Sequence, residues 1–517
     1  MHSFANDVEI ITITDVEKAL TQIKPKVSSG LDQIPCFVVK DCKAVFAGPL
    51  TYIFKLSLRT CTFPDEWKLV KISPILKSGD NTCIKNYRPI SLMSVFSKVF
   101  EIVLHNMLFP LLKSIIVSNQ HGFYPGRSTL TNLSCFSQYV ADKLDTRHQV
   151  DCVYLDISKA FDRILHSRLI SKLSYYGFSE NIIKFFESYL FNRQQVVCYN
   201  GFNSKLFHQP TGVPQGSVLG PLLFLLYVND ITNHIGNKTL SYADDIKIFS
   251  TIDSINDCLT LQRDLLNIAE RCNANGLELN LRKCKIVSYS RKKSKFLYDY
   301  SISGHIIERA DSVKDLGVQF DKCLTFIDHV ETITQRSFKT LGFIVRTCAC
   351  FNNADAIKTL FQAFIRTKLE YCSLIWSTNY ANQSISLEKV QRRCLKYMYN
   401  VKFGRFPSRG FDQAKLLIHN NMSTLENRRK ISAVKFLFKI LHGNVDCAEL
   451  LSHIIFFVPR IQSRYHNMFL CPRAKTNVLI NSPAYKMMKL ANELDESCDI
   501  VQCNYTELIN CAKSIFK

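Results

Sequence analysis

The chain has 517 residues, with 65 Lys+Arg against 44 Asp+Glu and a formal net charge of +21. That length gives roughly two to four domains, and 47% hydrophobic residues with a mean hydropathy near zero exclude a disordered or low-complexity chain. The positive excess favours a polyanionic partner, nucleic acid before an acidic membrane surface.

The start, Met1 to Asp7, has no charged segment followed by an apolar one, so no signal peptide is expected. Val16, Ala19, Leu20 and Ile23 recur at helical spacing and predict a helix from Asp15 to Lys24, ended by Pro25. Residues 37–60 read as helix, broken in two at Gly48-Pro49. Trp67 to Leu76 predicts a strand, with Pro74 marking a sheet edge. Lys77-Ser-Gly-Asp80 is the following turn. Asn86 to Leu92 is a second extended piece, because Pro89 keeps Arg88 out of the helical region. Lys77 and Arg88 therefore share a hairpin, where two cations could clamp a triphosphate or simply face solvent.

Val95 to Leu108 predicts a helix stopped by Pro110, Gln120 to Arg127 a loop, and Ser128 the cap of a helix from Thr129 to Leu144. No uncharged run of about 18 apolar residues predicts a membrane span. Gln149 to Ile157 reads as a buried strand that runs apolar into Asp156 and breaks at Ser158-Lys-Ala-Phe-Asp162. A carboxylate ending such a strand sits where sheet-edge sites form, or caps the next helix; Asp162 is better placed for the cap. Helices at 166–176 and 181–190 precede paired strands at 193–198 and 204–208. Thr211 to Pro221 is a rigid loop whose glycines expose the main chain, leading into an apolar helix from Leu222 to Ile231.

In Leu240-Ser-Tyr-Ala-Asp-Asp-Ile-Lys-Ile-Phe249, two acids sit between apolar flanks. Burying both is costly. A hairpin turn that aims them into a cleft, with a cation to balance them, suits the pattern; a plain surface turn fits the same letters. An amphipathic helix from Ile255 to Asn275, short strands at 276–280 and 283–289, and a β-ribbon from Tyr298 to Val318 follow. From Phe326 the pattern is helical. The helix from Ser386 to Tyr399 puts Lys389, Arg392, Arg393 and Lys396 on one side, a duplex-gripping face or a solvated one. The twenty cysteines form no C-x-x-C pair and read as reduced core thiols. Cys447, His453, His466 and Cys471 match no common zinc spacing.

A strand-end acid, a glycine-rich loop and a hairpin acid pair, in that order, are the parts of a polymerase palm. Tyr-x-Asp-Asp at 242–245, Leu155-Asp-Ile-Ser-Lys-Ala-Phe-Asp162 and Gly212-Val-Pro-Gln-Gly-Ser-Val-Leu-Gly-Pro221 resemble reverse transcriptases, with the wording of non-LTR, jockey-like retrotransposons. So do Lys77 with Tyr87-Arg-Pro-Ile-Ser-Leu92, Gln120-His-Gly-Phe123, Leu279 to Lys283, Leu316-Gly-Val318, Leu369-Glu-Tyr371 with Trp376, and Leu387 to Arg393. The likeness covers roughly residues 10–400.

The resemblance implies an α+β right-hand polymerase fold with fingers, a palm built on an antiparallel sheet, a helical thumb and a helical C-terminal region. The expected divisions are an N-terminal extension (1–60), fingers and palm (61–320), thumb (321–400) and a basic helix-rich region (401–517). It implies an RNA-directed DNA polymerase that adds dNTPs to a primer 3′-hydroxyl on an RNA template. A nucleic-acid-binding copy without activity would carry the same letters. Asp156 and Asp244 would bridge two Mg²⁺ ions, Mn²⁺ being able to replace them, and Asp245 would be the third, weaker acid. Phe161 would pack under the incoming sugar and reject a 2′-hydroxyl. Gln215 and Gly216 would support the nascent pair and template, and Lys77 and Arg88 the triphosphate. Lys283 would protonate the pyrophosphate, with Arg282 and Lys285 as rivals. Tyr242 would lie near the primer end, and Arg392 and Arg393 would hold the duplex. No membrane partner is implied, and the place of action would be the nucleus, the cytoplasm or both. Related elements often encode an endonuclease upstream. The 76 residues before Lys77 are too few for one.

Overall fold

A computed structural model describes residues 11–77, 79–377, 380–458, 467–494 and 498–516. The first helix, α1 (Ile13–Gln22), starts at a capping box in which Thr12 and Asp15 satisfy each other's backbone N–H. Next come α2 (Cys36–Asp41) and α3 (Lys43–Arg59). The expected break at Gly48-Pro49 is absent: the chain divides at Cys42, and Pro49 lies inside α3. Ala47, Leu50, Phe54 and Leu58 bury that helix in the core, and their burial outweighs the hydrogen bond that proline removes.

The strand pair β1 (Leu69–Leu76) and β2 (Tyr87–Leu92) is the expected hairpin, with Pro74 opposite Pro89. Trp67 falls in a short 3₁₀ turn before it. Then α4 (Val95–Leu112) runs through Pro110 instead of stopping there, held by buried Leu108 and Leu112. By length and composition α4 is long and apolar enough to cross a membrane. Half of it is buried inside the fold, and it carries Lys98 and the fully buried Glu101.

The middle of the chain supplies α5 (Thr129–Asp145), β3 (Gln149–Asp156), α6 (His166–Tyr175), α7 (Glu180–Leu190), β4 (Gln194–Tyr199), β5 (Phe202–Asn203), β6 (Phe207–His208) and α8 (Leu219–Val228). It continues with β7 (Lys238–Tyr242), β8 (Asp245–Ile252), α9 (Ile255–Ala274) and β9 (Lys285–Tyr289). β1 also pairs in parallel with β4, over Leu69 to Ile72 only, so Pro74 sits on an open flank. Residues 276–280 are not a strand; Leu279 alone bridges Ile157. The ribbon is β10 (Ser301–Ile302), β11 (His305–Ile306), β12 (Glu308–Arg309), β13 (Ser312–Asp315) and β14 (Val318–Asp321).

Helices complete the chain. They are α10 (Ile327–Thr347), α11 (Ala354–Phe361), α12 (Thr367–Glu370), α13 (Ser373–Trp376), α14 (Ala381–Phe403) and α15 (Gln413–His419). After them come α16 (Leu425–Leu441), α17 (Ala448–Leu451), α18 (Asn477–Ile480), α19 (Pro483–Asn492) and α20 (Tyr505–Ile515).

The central sheet has the order β12-β9-β3-β8-β7, antiparallel throughout its β9-β3-β8-β7 part. Period-two alternation divides its side chains between two cores. Val153, Leu155, Ile246 and Ile248 face the N-terminal helices and α6–α9. Cys152, Phe249, Val287 and Tyr289 face α5 and the C-terminal helices, which share one core from α10 to α20. Between sheet and helices lies α5, most of whose residues are buried.

Candidate active site

β3 and β8 pair so that Asp156 stands directly opposite Asp245. Residues opposed across an antiparallel pair point to the same face. Both acids therefore face the C-terminal core, at the end of the sheet where that core opens into a cleft. β7 turns into β8 through Ala243-Asp244, between the paired Tyr242 and Asp245. Ala243 takes φ 56°, the left-handed conformation that a two-residue hairpin demands and that alanine rarely adopts.

The strained turn is held from outside. Gln120 Oε1 accepts from Ala243 N at 2.9 Å and from Gly122 N at 2.8 Å. His121 N donates to Ser241 O at 2.8 Å, and Asn132 Nδ2 to the same oxygen at 3.1 Å. Gly122 lies so close that a Cβ there would stand 2.3 Å from Ala243 N. The segment is tied back by Arg127, which donates to the carbonyls of Ser118 (2.8 Å) and Gln120 (2.7 Å) and pairs with Asp446 at 2.9 Å.

The cleft has a volume of about 380 Å³ and is lined by Asp156, Asp245, Tyr242, Lys283 and Arg282 among others. Lys283 Nζ lies 2.9 and 3.1 Å from the Asp156 carboxylate oxygens, whereas Lys285 pairs with Glu308. Beneath Asp245, Lys247 and Asp315 form a buried ion pair, 3% and 7% exposed. Burial raises Asp244, and the charge of Asp156 adds to the rise, while Lys77 and Lys283 oppose it. Asp245 is pushed up to about 7 by loss of hydration first, then by Asp244, Asp315 and Asp156. Its surface is open to solvent, yet it sits in a concavity where protein mass displaces much of its water.

The glycine-rich loop docks on the turn that follows Asp156. Val213 N donates to Phe161 O (3.0 Å) and Gly212 N to Ile164 O (2.8 Å); a Cβ on Gly212 would meet Phe161 O at 2.8 Å. Gln215 Nε2 donates to Asp162 Oδ1 at 2.8 Å, and Gln215 O accepts from Ser91 N of β2. Asp162 is therefore no helix cap: α6 begins after Leu165 without a side-chain cap, and Asp162 instead orients Gln215. Gly216 takes φ 119° against Ser91 O. Glu101, buried in α4, accepts from Val218 N (2.6 Å) and Leu219 N (3.2 Å), fixing the loop's exit at the positive end of α8. Phe161 is half-buried, stacked on Phe224 at 4.4 Å with Phe123 edge-on at 5.6 Å. Lys77 and Arg88 are both exposed on the β1–β2 hairpin, where Lys77 N donates to Asn86 O.

Residues 75–345 match the family model for reverse transcriptase (RNA-dependent DNA polymerase). The chain belongs to the reverse transcriptase family. It is 30% identical over 353 residues to the probable RNA-directed DNA polymerase from transposon BS of Drosophila melanogaster, a match covering 65% of this chain and 38% of that protein. Against the RNA-directed DNA polymerase from mobile element jockey of the same fly it is 26% identical over 342 residues, covering 64% and 37%. Against the probable RNA-directed DNA polymerase from its transposon X-element it is 30% identical over 302 residues, covering 56% and 32%. These matches bear out the jockey-like resemblance and the α+β fold. The chain spans 32% to 38% of the length of these relatives.

In this member of the family, the structure gathers Asp156, Asp245, Lys283 and Tyr242 at one cleft, with Asp244 in the adjoining turn and Lys77 near enough for its charge to act on Asp244. Arg392 and Arg393 lie elsewhere: α14 packs on α10, α11, α15 and α16, and Arg392 lines a separate cavity with Lys389 and Glu388. Cys447 meets Cys135 (Sγ–Sγ 3.5 Å), His453 meets Asp142 (3.5 Å) and Cys471 lies by Asn492; His466 is outside the described residues. Sequence reasoning missed Lys247, Asp315, Arg127 and the clamp made by Gln120. For Gln120 a signal was present, in a quoted motif without an assigned role.

The site fits a hard divalent cation. Its donors are carboxylate oxygens: Asp156 stands opposite Asp245 with Asp244 in the turn between, three acids close enough for their charges to oppose one another. Among the described residues no three acid, His or Cys side chains cage an ion unaided.

Proposed function

We propose that this chain is an RNA-directed DNA polymerase, extending a DNA primer with dNTPs on an RNA template. The observation that carries the reading is the placement of Asp156 opposite Asp245, with Asp244 in the intervening turn, beside a cleft that Lys283 enters. Divalent cations, Mg²⁺ or Mn²⁺, would supply activation of the primer 3′-hydroxyl and neutralisation of the pyrophosphate. Asp156 and Asp244 would hold them, and Asp245, above the Lys247–Asp315 pair, would support the site. Lys283, paired with Asp156, would release it and donate a proton to the departing pyrophosphate. Lys77 and Arg88, on the projecting hairpin, would bind the triphosphate.

Gln215, oriented by Asp162, and Gly216, with its main chain uncovered, would carry the nascent base pair and template; Tyr242 would lie by the primer terminus. Arg392 and Arg393 would contact duplex farther from the acids. In this scheme residues 61–320 are fingers and palm, 321–400 the thumb, 1–60 and 401–517 flanking regions, and the protein acts in the nucleus, the cytoplasm or both.

Primer extension on poly(rA)·oligo(dT) with Mg²⁺ tests the proposal. Extension is expected; template binding without extension would favour a copy that only grips nucleic acid. Phe161 would form the floor under the sugar. Phe161→Val is expected to lower the preference for dNTPs over rNTPs, as a ratio of kcat/KM, by at least about tenfold. Unchanged discrimination would remove that role.

A further inference from the structure

A second polar cavity, of about 370 Å³, lies where α13, α14, α16 and α19 meet, and it shares no lining residue with the acidic cleft. Its walls carry Arg429, Lys430, Lys486 and Lys489 against only Glu426 and Glu493. Arg429 is the decisive group. It is 6% exposed and lies over the Trp376 ring at 5.9 Å, and among the described residues its Nε and Nη1 have no hydrogen-bond partner. A buried guanidinium with open N–H groups is costly unless a ligand or water completes it.

Three of the acids nearby are already engaged. Glu370 is held by Arg428, Glu426 by Lys430 (3.3 Å) and Ser384 Oγ (3.1 Å), and Glu388 by the backbone N–H of Glu426 (3.1 Å). Lys486 Nζ donates to a neutral acceptor, Leu374 O, at 2.8 Å. Burial, and then the charge of Arg429, push this amine down to about 7, and an anion bound beside it would favour its protonated form. A planar fork beside compact ammonium groups matches the oxygens of a phosphate.

We propose that this cavity between thumb and C-terminal helices is a phosphate-binding site, with Arg429 and Lys486 as its principal ligands. The phosphate is either free in solution or part of an RNA chain. The site uses none of the acids of the polymerase centre, so the proposal stands or falls separately from that reading.

The test is titration of the full chain with inorganic phosphate in metal-free buffer, read by calorimetry and by thermal unfolding. Wild type is expected to bind phosphate and to unfold at a higher temperature in its presence. Lys486→Gln and Arg429→Gln are each expected to weaken binding by at least about tenfold. If Arg429→Gln fails to fold, Lys486→Gln and Lys489→Gln still decide. Absence of phosphate binding by wild type, or equal binding by the lysine variants, overturns the proposal. A short oligo(rA) separates the sources. Competition with phosphate in wild type, lost in Lys486→Gln, supports RNA as the occupant; phosphate binding without competition supports the free ion.

Discussion

Asp244→Asn is expected to abolish primer extension, by at least roughly 10³-fold in kcat/KM, the scale on which loss of one preorganised electrostatic partner is felt. The substitution keeps the shape of the turn residue and removes the charge. Because Asp244 sits in the hairpin turn, beyond the last ladder pair of β7 and β8, the fold does not depend on its carboxylate. RNA binding rests on the basic surface and responds to salt through released counterions. It should keep its affinity and salt slope, or tighten slightly, since one repulsive charge is gone. Extension at the wild-type rate would refute the placement of the metal ligands. Loss of both extension and binding would show that the turn's charge supports the fold.

Gly122→Ala is expected to reduce extension by about 10²-fold while changing no residue that meets the substrate. The added Cβ would fall 2.3 Å from Ala243 N and 2.9 Å from Tyr242 C, both backbone atoms. Neither can rotate away as a side chain would, so the acidic turn must move. A displacement of about 1 Å at reacting groups is enough for a loss of that size. Overpacking should also destabilise the fold by about 1–3 kcal/mol. Circular dichroism and thermal unfolding check that the variant folds, and steady-state extension then isolates the displacement. A folded Gly122→Ala protein with normal kcat would mean that the 120–122 segment does not position the acids.

Much of the site was legible because its parts are local. Asp244-Asp245 needed only a turn between two apolar runs, Asp156 only the end of one, and Ser128 only its place before a helix. The misreadings share one cause, which is burial that sequence spacing does not show. Pro49 and Pro110 stay inside helices because side chains on either side are packed in the core. Asp162 looked like a cap because its true partner, Gln215, lies 53 residues away. Lys247 and Asp315 are 68 residues apart, and Arg127 and Asp446 319 apart, so nothing in either neighbourhood announces the pairing. Sequence alone placed the acids; the groups that support the acids come from segments whose adjacency only the fold creates.

The position of α5 has a consequence for the order in which this protein can be built. Its residues meet the far end of the chain: Cys135 meets Cys447, Gln138 Oε1 accepts from Ala484 N, and Asp145 Oδ1 accepts from Lys475 N. Those partners leave the ribosome more than 300 residues after α5 does. From the emergence of Lys283 until those partners arrive, the nascent chain carries the polymerase motifs while α5 still lacks the contacts that residues 447–484 supply. Such a late closure slows folding and leaves apolar surface open to aggregation or to a chaperone. Nascent chains halted midway through the C-terminal helices would thus be the population most in need of protection.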